Sequence, residues 1–305
     1  MPKILISDAM DNIASEILLK NNLDVETKTN LTPDELKNII ANYDGLIVRS
    51  ATKVTDDIIE AATNLKIIGR AGAGVDNINV EAAKSKNIIV MNTPGGNTNA
   101  TAEHTIGLIL SITRNYLKAI SSLNKNKWDR RPYAGEKMLS KSIVGVIGGG
   151  RIGIMVSKIL SSFGSKVIVA EKKNKNFKIK LRQICRDSDI ISLHIPSFKN
   201  DNFFSKNRFK LRKKFYLINT SRGDVVDENY VLELLKKRLM LGYAADVLNN
   251  EFDASFKLSK NIIFKNRNKF NIILTPHIGG STKDSWRLTE KSIILELKEQ
   301  ISKTT

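Results

Sequence analysis

A histidine, a carboxylate and an arginine, each just past an apolar run, are the residues of this chain best suited to moving a proton at a bound alcohol or carbonyl. Ile272-Ile273-Leu274 leads into Thr275-Pro276-His277, Tyr243 to Val247 is followed by Glu251, and Tyr216 to Asn219 leads into Thr220-Ser221-Arg222. An imidazole exchanges protons near neutral pH. A carboxylate on its other ring nitrogen fixes the tautomer and supports the imidazolium. An arginine binds a substrate carboxylate in bidentate fashion and polarises a developing carbonyl. On residue types alone Arg222 is equally a surface ion-pair partner, Glu251 a loop charge and His277 a turn residue. His104 and His194 read as packed or solvated, His194 with a cofactor-facing alternative.

The second chemical feature is Gly148-Gly149-Gly150-Arg151-Ile152-Gly153, a G-x-G-x-x-G loop. It follows the apolar run Ile143 to Ile147 and opens a helical pattern that Gly164 stops. A second strand, Lys166 to Ala170, delivers Glu171. In such a unit Gly148 permits a tight turn, Gly150 lets backbone approach a pyrophosphate, and Gly153 lets helix pack on strand. The helix N-terminus offers N–H groups to the phosphates. Glu171 is placed to accept hydrogen bonds from ribose hydroxyls, and its charge repels a 2′-phosphate. The strand–loop–helix–strand–acid order points to a dinucleotide site, and Glu171 favours NAD over NADP despite Lys172 and Lys173.

The elements that position these residues alternate between strand and helix. Residues 1–97 form strand–helix units, with Thr32-Pro33-Asp34-Glu35 a strong helix start and Asn79 a cap. Thr55 reads as a third cap. Three of their strand ends carry polar or glycine-rich loops: Arg49-Ser50, Gly72-Ala73-Gly74 and Asn92 to Asn97. One long helix over about Ala100 to Ala119 is predicted to join this half to the next. Lys172 to Lys180 is a short basic stretch, and Lys125 to Lys137 reads as a polar connector. The pattern predicts an α/β protein of two doubly wound parallel-sheet domains. Residues 1–97 with 281–305 form one domain, and 98–280 form a Rossmann domain inserted in it.

Composition narrows the class. The net charge is +18, but lysines are spread over most segments, so a solvated basic surface is favoured over a nucleic-acid site. The densest cluster, Lys206, Arg208, Lys210, Arg212, Lys213 and Lys214, lies beside Phe203, Phe204 and Phe209, which are expected to pack inward. The longest apolar helical run, Ile106 to Ile112, is too short to span a bilayer. Met1-Pro2-Lys3 leads straight into a strand, without a secretory pattern. The single Cys185 excludes an intrachain disulfide and suits a cytoplasmic setting.

Motifs through almost the whole chain resemble the D-2-hydroxyacid dehydrogenase family, most closely its D-3-phosphoglycerate dehydrogenase members. They include Val48 to Thr55, Gly69 to Asn77, Met91 to Pro94, Gly148 to Gly153, Asn219 to Gly223, Ala245 to Val247 and Thr275 to Gly280. The resemblance implies a Rossmann domain inserted in a flavodoxin-like one. It also implies NAD-dependent oxidation of D-3-phosphoglycerate to 3-phosphooxypyruvate in L-serine biosynthesis. A glyoxylate or hydroxypyruvate reductase is the same-class alternative, and a dinucleotide-sensing corepressor the alternative of another class. The family's catalytic residues fall on Arg222, Glu251 and His277. Its cofactor contacts fall on Arg151, Ile152, Glu171, Ile195, Thr220, Ser221, Arg222, Asp246 and His277 to Gly280, including Gly279. Its carboxylate loop falls on Gly74 and Val75, and phosphate-holding residues on Arg49, Ser50 and Asn97, with Arg70 a further candidate. Arg130 matches an arginine that reaches a neighbouring subunit, so the resemblance implies a homodimer or homotetramer. No metal is implied. Phe252 stands where the family usually has proline. No regulatory domain follows the closing helix, so serine feedback through one is not expected.

Overall fold

The computed structural model describes residues 1–11, 13–21, 23–197, 202–211, 213–253 and 255–304; Arg212 of the basic cluster lies outside them. The chain divides into two compact units, Met1–Asn97 with Ser281–Thr305, and Thr98–Gly280.

The first unit alternates β1 (Lys3–Ile6), α1 (Ile13–Leu19), β2 (Asp24–Thr27), α2 (Pro33–Ile39), β3 (Gly45–Val48), α3 (Asp56–Ala61), β4 (Ile67–Arg70), α4 (Val80–Ser85) and β5 (Ile89–Asn92). Two of the three expected helix caps form side-chain bonds. Thr32 Oγ1 accepts the Glu35 N–H at 3.3 Å while Glu35 Oε2 accepts the Thr32 N–H at 2.8 Å, a reciprocal cap. Asn79 Oδ1 accepts the Ala82 N–H at 3.1 Å. Thr55 stands at the N-cap of α3 without a side-chain cap bond. The five strands are parallel in the order β2-β1-β3-β4-β5, the flavodoxin-like arrangement.

The second unit begins with α5 (Thr98–Thr113) and α6 (Tyr116–Leu123), then β6 (Ile143–Ile147), α7 (Arg151–Ser162), β7 (Lys166–Ala170), α8 (Phe177–Asp187), β8 (Ile190–Leu193), β9 (Phe215–Asn219), α9 (Glu228–Lys236), β10 (Met240–Ala245), α10 (Ile262–Asn266) and β11 (Ile272–Leu274). The last helix, α11 (Lys283–Thr304), belongs to the first unit. The predicted single helix over 100–119 is two helices. Asn115 adopts a left-handed φ of 54° between them, a conformation asparagine tolerates at low cost. The basic stretch after Glu171 is helical from Phe177 onward. The six strands are parallel in the order β11-β10-β9-β8-β6-β7. The order therefore reverses at β6, with β7 on one side and β8 on the other, and that switch point is where open α/β sheets hold ligands.

Both sheets are buried on both faces, as strand alternation requires. In the first unit Leu5, Leu46, Val48 and Ile68 face one core with Leu36, Ile58 and Ile59. Ile4, Ile6, Ile47 and Ile67 face the other with Leu18, Ile293, Ile294 and Leu297. In the second unit Val144, Val146, Ile218 and Ala244 meet Ile109, Ile112, Val156 and Leu160 of α5 and α7. On the opposite face Ile147, Leu193 and Leu217 meet Ile184, Val231 and Leu235, together with Phe203, Phe204 and Phe209. Those phenylalanines are buried. Two of the charges around them are engaged: Arg208 lies 4.8 Å over the Phe203 ring, and Lys213 pairs with Asp189 at 2.8 Å. Among the described residues no helix is long and apolar enough to cross a membrane, and no group of metal-ligating side chains occurs.

Candidate active site

The glycine loop is built at the switch point. Gly148 has φ 108°, and a Cβ there would lie 2.1 Å from the His194 carbonyl oxygen at the end of β8. Only glycine fits that turn. A Cβ on Gly153 would lie 2.0 Å from the Gly148 carbonyl oxygen, so α7 closes directly on the loop. A Cβ on Gly150 would meet nothing within 4 Å. That open side lies at the N-terminus of α7, where Arg151 and Ile152 begin the helix with N–H groups that have no partner one turn back. A Cβ on Gly149 would lie 2.5 Å from Glu171 Oε2, which places the fingerprint acid beside the loop. At the far end of α7 the Ser165 N–H donates to Leu160 O and the Gly164 N–H to Ser161 O, with Gly164 at φ 84°. This is the expected glycine stop. The residues present fit a dinucleotide.

Ile195 follows β8, its Cγ2 3.1 Å from where a Gly148 Cβ would stand. His194 Nε2 bonds Ser192 Oγ at 2.8 Å while Nδ1 is buried without a partner. Burial lowers the His194 pKa to about 4, so this imidazole is neutral at physiological pH, part of the sheet end rather than a proton carrier.

Arg222, Glu251 and His277 follow the carboxyl ends of β9, β10 and β11, three adjacent parallel strands in register at Asn219, Ala245 and Leu274. His277 Nδ1 and Glu251 Oε1 are 2.9 Å apart. The glutamate is the more enclosed partner, with 15% of its side chain exposed against 37% for the histidine. With Nδ1–H donated to Glu251, Nε2 is the nitrogen left for chemistry. The Phe252 ring lies 5.6 Å from the imidazole, tilted by 56°.

The loop carrying His277 is organised by Asp246, which is 2% exposed. Its carboxylate accepts the Ile278 N–H at 2.9 Å, the Gly279 N–H at 2.7 Å and the Thr275 hydroxyl at 2.5 Å, and lies 3.3 Å from His104 Nε2. The Asp246 carbonyl accepts the His277 N–H at 2.8 Å. These bonds hold His277 at a left-handed φ of 52°. Burial pushes the Asp246 carboxyl up, but hydrogen bonds from His104, Thr275, Gly279 and Ile278 outweigh it and leave the pKa below its ordinary value. Gly280 ends the unit just beyond this loop.

Three further side chains fix the other loops. Asn219, fully buried, donates to the Arg222 carbonyl at 2.9 Å and accepts from the Ser221 N–H at 3.1 Å and hydroxyl at 2.7 Å. Thr220 Oγ1 bonds Thr105 at 2.8 Å. Glu228 accepts the Asn249 N–H at 3.0 Å and the Asn261 amide at 2.8 Å, holding the loop that leads to Glu251. A Cβ on Gly223 would lie 2.0 Å from Leu248 O, so the turn after Arg222 packs directly on that loop. Residue types alone did not single out Asn219, Glu228 or His104 for these roles. The only local signal at Asn219 and Glu228 was an amide or acid at a strand or helix end, and His104 lies inside α5.

In the first unit Arg49 follows β3 and Arg70 ends β4, strands paired at Val48 and Arg70. Asn77 joins them: its amide donates to Arg49 O at 2.8 Å and Thr52 O at 2.7 Å, and its Oδ1 accepts Arg70 Nε–H at 3.3 Å. Gly74 and Val75 lie half-buried in the loop after β4, and Ser50 is exposed beside Arg49. Asn97 closes the loop after β5. Arg130 is exposed in the second unit.

A model of the D-isomer specific 2-hydroxyacid dehydrogenase catalytic domain matches residues 4–303, and the chain belongs to that family. It is 38% identical to the D-3-phosphoglycerate dehydrogenase of Methanocaldococcus jannaschii, over 98% of this chain and 57% of the relative. It is 36% identical to the Homo sapiens D-3-phosphoglycerate dehydrogenase, over 98% and 56%. The chain thus spans about half the length of these curated relatives. Its fold is similar to the solved NAD⁺-bound 3-phosphoglycerate dehydrogenase of Entamoeba histolytica, with a TM-score of 0.81 and 27% identity over 100% of this chain and 96% of that one.

Proposed function

We propose that this chain catalyses NAD-dependent oxidation of D-3-phosphoglycerate to 3-phosphooxypyruvate, the opening step of L-serine biosynthesis, in the cytoplasm. The observation that carries the reading is the 2.9 Å His277–Glu251 pair at the ends of strands adjacent to the one that delivers Arg222. NAD, when bound, supplies the hydride acceptor. The N–H groups of Arg151 and Ile152 would hold its pyrophosphate and Glu171 its ribose; the remaining contacts are assigned to Ile195, Thr220 to Arg222, Asp246 and Gly279. His277 Nε2 takes the substrate hydroxyl proton, and Glu251 stabilises the imidazolium through Nδ1–H. Arg222 binds the substrate carboxylate, and in the first unit Gly74 and Val75 offer backbone N–H groups suited to an anion. Arg49, Ser50, Arg70 and Asn97 form the phosphate patch. A panel of 2-hydroxy and 2-oxo acids with NAD and NADP, read by nicotinamide absorbance, tests this. Turnover is expected with the phosphorylated acid and NAD, and a clear preference for NADP sinks the role given to Glu171.

One observation favours a second reading. Arg49 already pairs with the buried Glu290 at 3.3 Å, which suits a phosphate-free 2-oxo acid such as hydroxypyruvate or glyoxylate. Much faster reduction of hydroxypyruvate than of 3-phosphooxypyruvate decides for it.

We also propose a homodimer formed through the second unit. Leu117, Ile120 and Leu123 are exposed on α6, and Trp128 beyond it is 94% exposed. An apolar stripe of this kind, next to Arg130, marks a protein interface. Light scattering is expected to give twice the chain mass, and Ile120→Glu with Trp128→Ser to give the monomer. An unchanged mass for that double variant places the interface elsewhere.

A further inference from the structure

The first two turns of α11 grip the loops at the ends of β3 and β5. Ser285 Oγ donates to Gly96 O at 3.2 Å, beside Asn97. The Arg49 guanidinium carbon lies 4.3 Å from the centroid of the Trp286 ring. Arg49 Nη1 lies 3.3 Å from Glu290 Oε1 and 3.5 Å from Ala9 O. Glu290 is 4% exposed, and its Oε2 accepts the Asp11 N–H at 3.1 Å. The Arg49 backbone is held as firmly, its N–H donating to Asp8 Oδ2 at 2.5 Å. The guanidinium is therefore fixed in plane by an indole and opposed on one edge by a carboxylate. Its Nη1 is occupied, which leaves the edge formed by Nε and Nη2 to meet an oxyanion.

We propose that Trp286 and Glu290 set how strongly Arg49 holds a substrate phosphate. The indole keeps the guanidinium oriented, and the buried carboxylate offsets part of its charge so that a dianion is bound and released rather than trapped. This rests on the phosphorylated-substrate reading. Other charges lie on neighbouring groups: Asp8 accepts the Arg49 backbone N–H, Asp11 pairs with Arg287 at 3.3 Å, and Arg70 bonds Asn77, whose amide holds the Arg49 carbonyl. None of them contacts both the plane and the edge of Arg49, as Trp286 and Glu290 together do.

The test compares reduction of 3-phosphooxypyruvate and hydroxypyruvate by NADH in the wild type, Trp286→Leu and Glu290→Gln. Trp286→Leu is expected to lower the ratio of kcat/KM for the phosphorylated over the unphosphorylated acid about tenfold, through KM, as loss of a cation–π contact implies. Glu290→Gln keeps a hydrogen-bonding group but removes the charge. It is expected to raise that ratio about fivefold and steepen its salt dependence. Opposite signs are what a merely structural role does not produce. Equal changes on both substrates, or an unchanged ratio in Trp286→Leu, overturn the proposal. Trp286 is partly exposed, so that arm stands even if the Glu290 variant folds poorly. A wild type with no preference for the phosphorylated acid instead overturns the substrate reading beneath it.

Discussion

Replacing His277 by alanine lowers kcat by about a thousandfold, the range for loss of a positioned acid–base group. Three features set that expectation. The imidazole is oriented by Glu251 at 2.9 Å. The other two histidines are already engaged, His194 on Ser192 and His104 on Thr275 and Asp246. No other imidazole is present in the chain to take over the proton. The kcat and kcat/KM for the acid should fall together, because the alanine removes an interaction used in the transition state rather than in uniform binding. Steady-state nicotinamide absorbance over a range of acid and NAD concentrations checks both numbers. Near-normal turnover sinks the role of His277. Glu251→Gln is expected to lie between the variant and the wild type, since the amide still accepts the Nδ1 proton but no longer stabilises the imidazolium.

Asp246→Asn carries the second large effect, on stability and on activity together. The aspartate accepts from Thr275, Ile278 and Gly279 and lies beside His104. An amide turns one acceptor into a donor facing a backbone N–H, which costs about 3 kcal/mol with the group buried. The same loss frees the left-handed turn at His277. A shift of about 1 Å there lowers kcat by roughly a hundredfold. The pH dependence follows from the direction of the shift. The folded carboxyl titrates below its unfolded value of about 3.9, so it adds stability above that pH and loses it as pH falls through the folded pKa. Urea unfolding from pH 7 down to pH 3 is expected to show the wild-type advantage over the asparagine variant shrinking toward the acid end. A constant gap between the two proteins rules out the charged form of Asp246 as its source.

Much of this architecture is legible along the chain. Thr32 and Glu35 cap α2 because the capping box is local chemistry. Gly164 ends α7 because only a few residues on either side decide that turn. Parallel, helix-covered sheets could be expected because β–α–β units have few ways to close, whereas the strand orders came from the structure. The break at Asn115 was not legible. The apolar spacing runs through it, and an asparagine in the left-handed region is a choice between conformers close in energy. The start of α8 at Phe177 was hidden for a related reason: a lysine-rich run looks the same in a solvated helix and in a loop.

The sequence by itself determined the kinds of groups available and the strand ends they follow: Arg222, Glu251, His277, and the glycine loop with Glu171. These depend on local backbone rules and on periodicities of two and 3.6 residues, which need no distant partner. Only the tertiary structure decided which groups meet. It pairs His277 with Glu251 across 26 residues of chain, seats Asp246 under the His277 turn, and lays Trp286 and Glu290 against Arg49. Those contacts join residues up to 241 positions apart. Their geometry follows from how helices and strand ends pack, and no spacing along the chain encodes it.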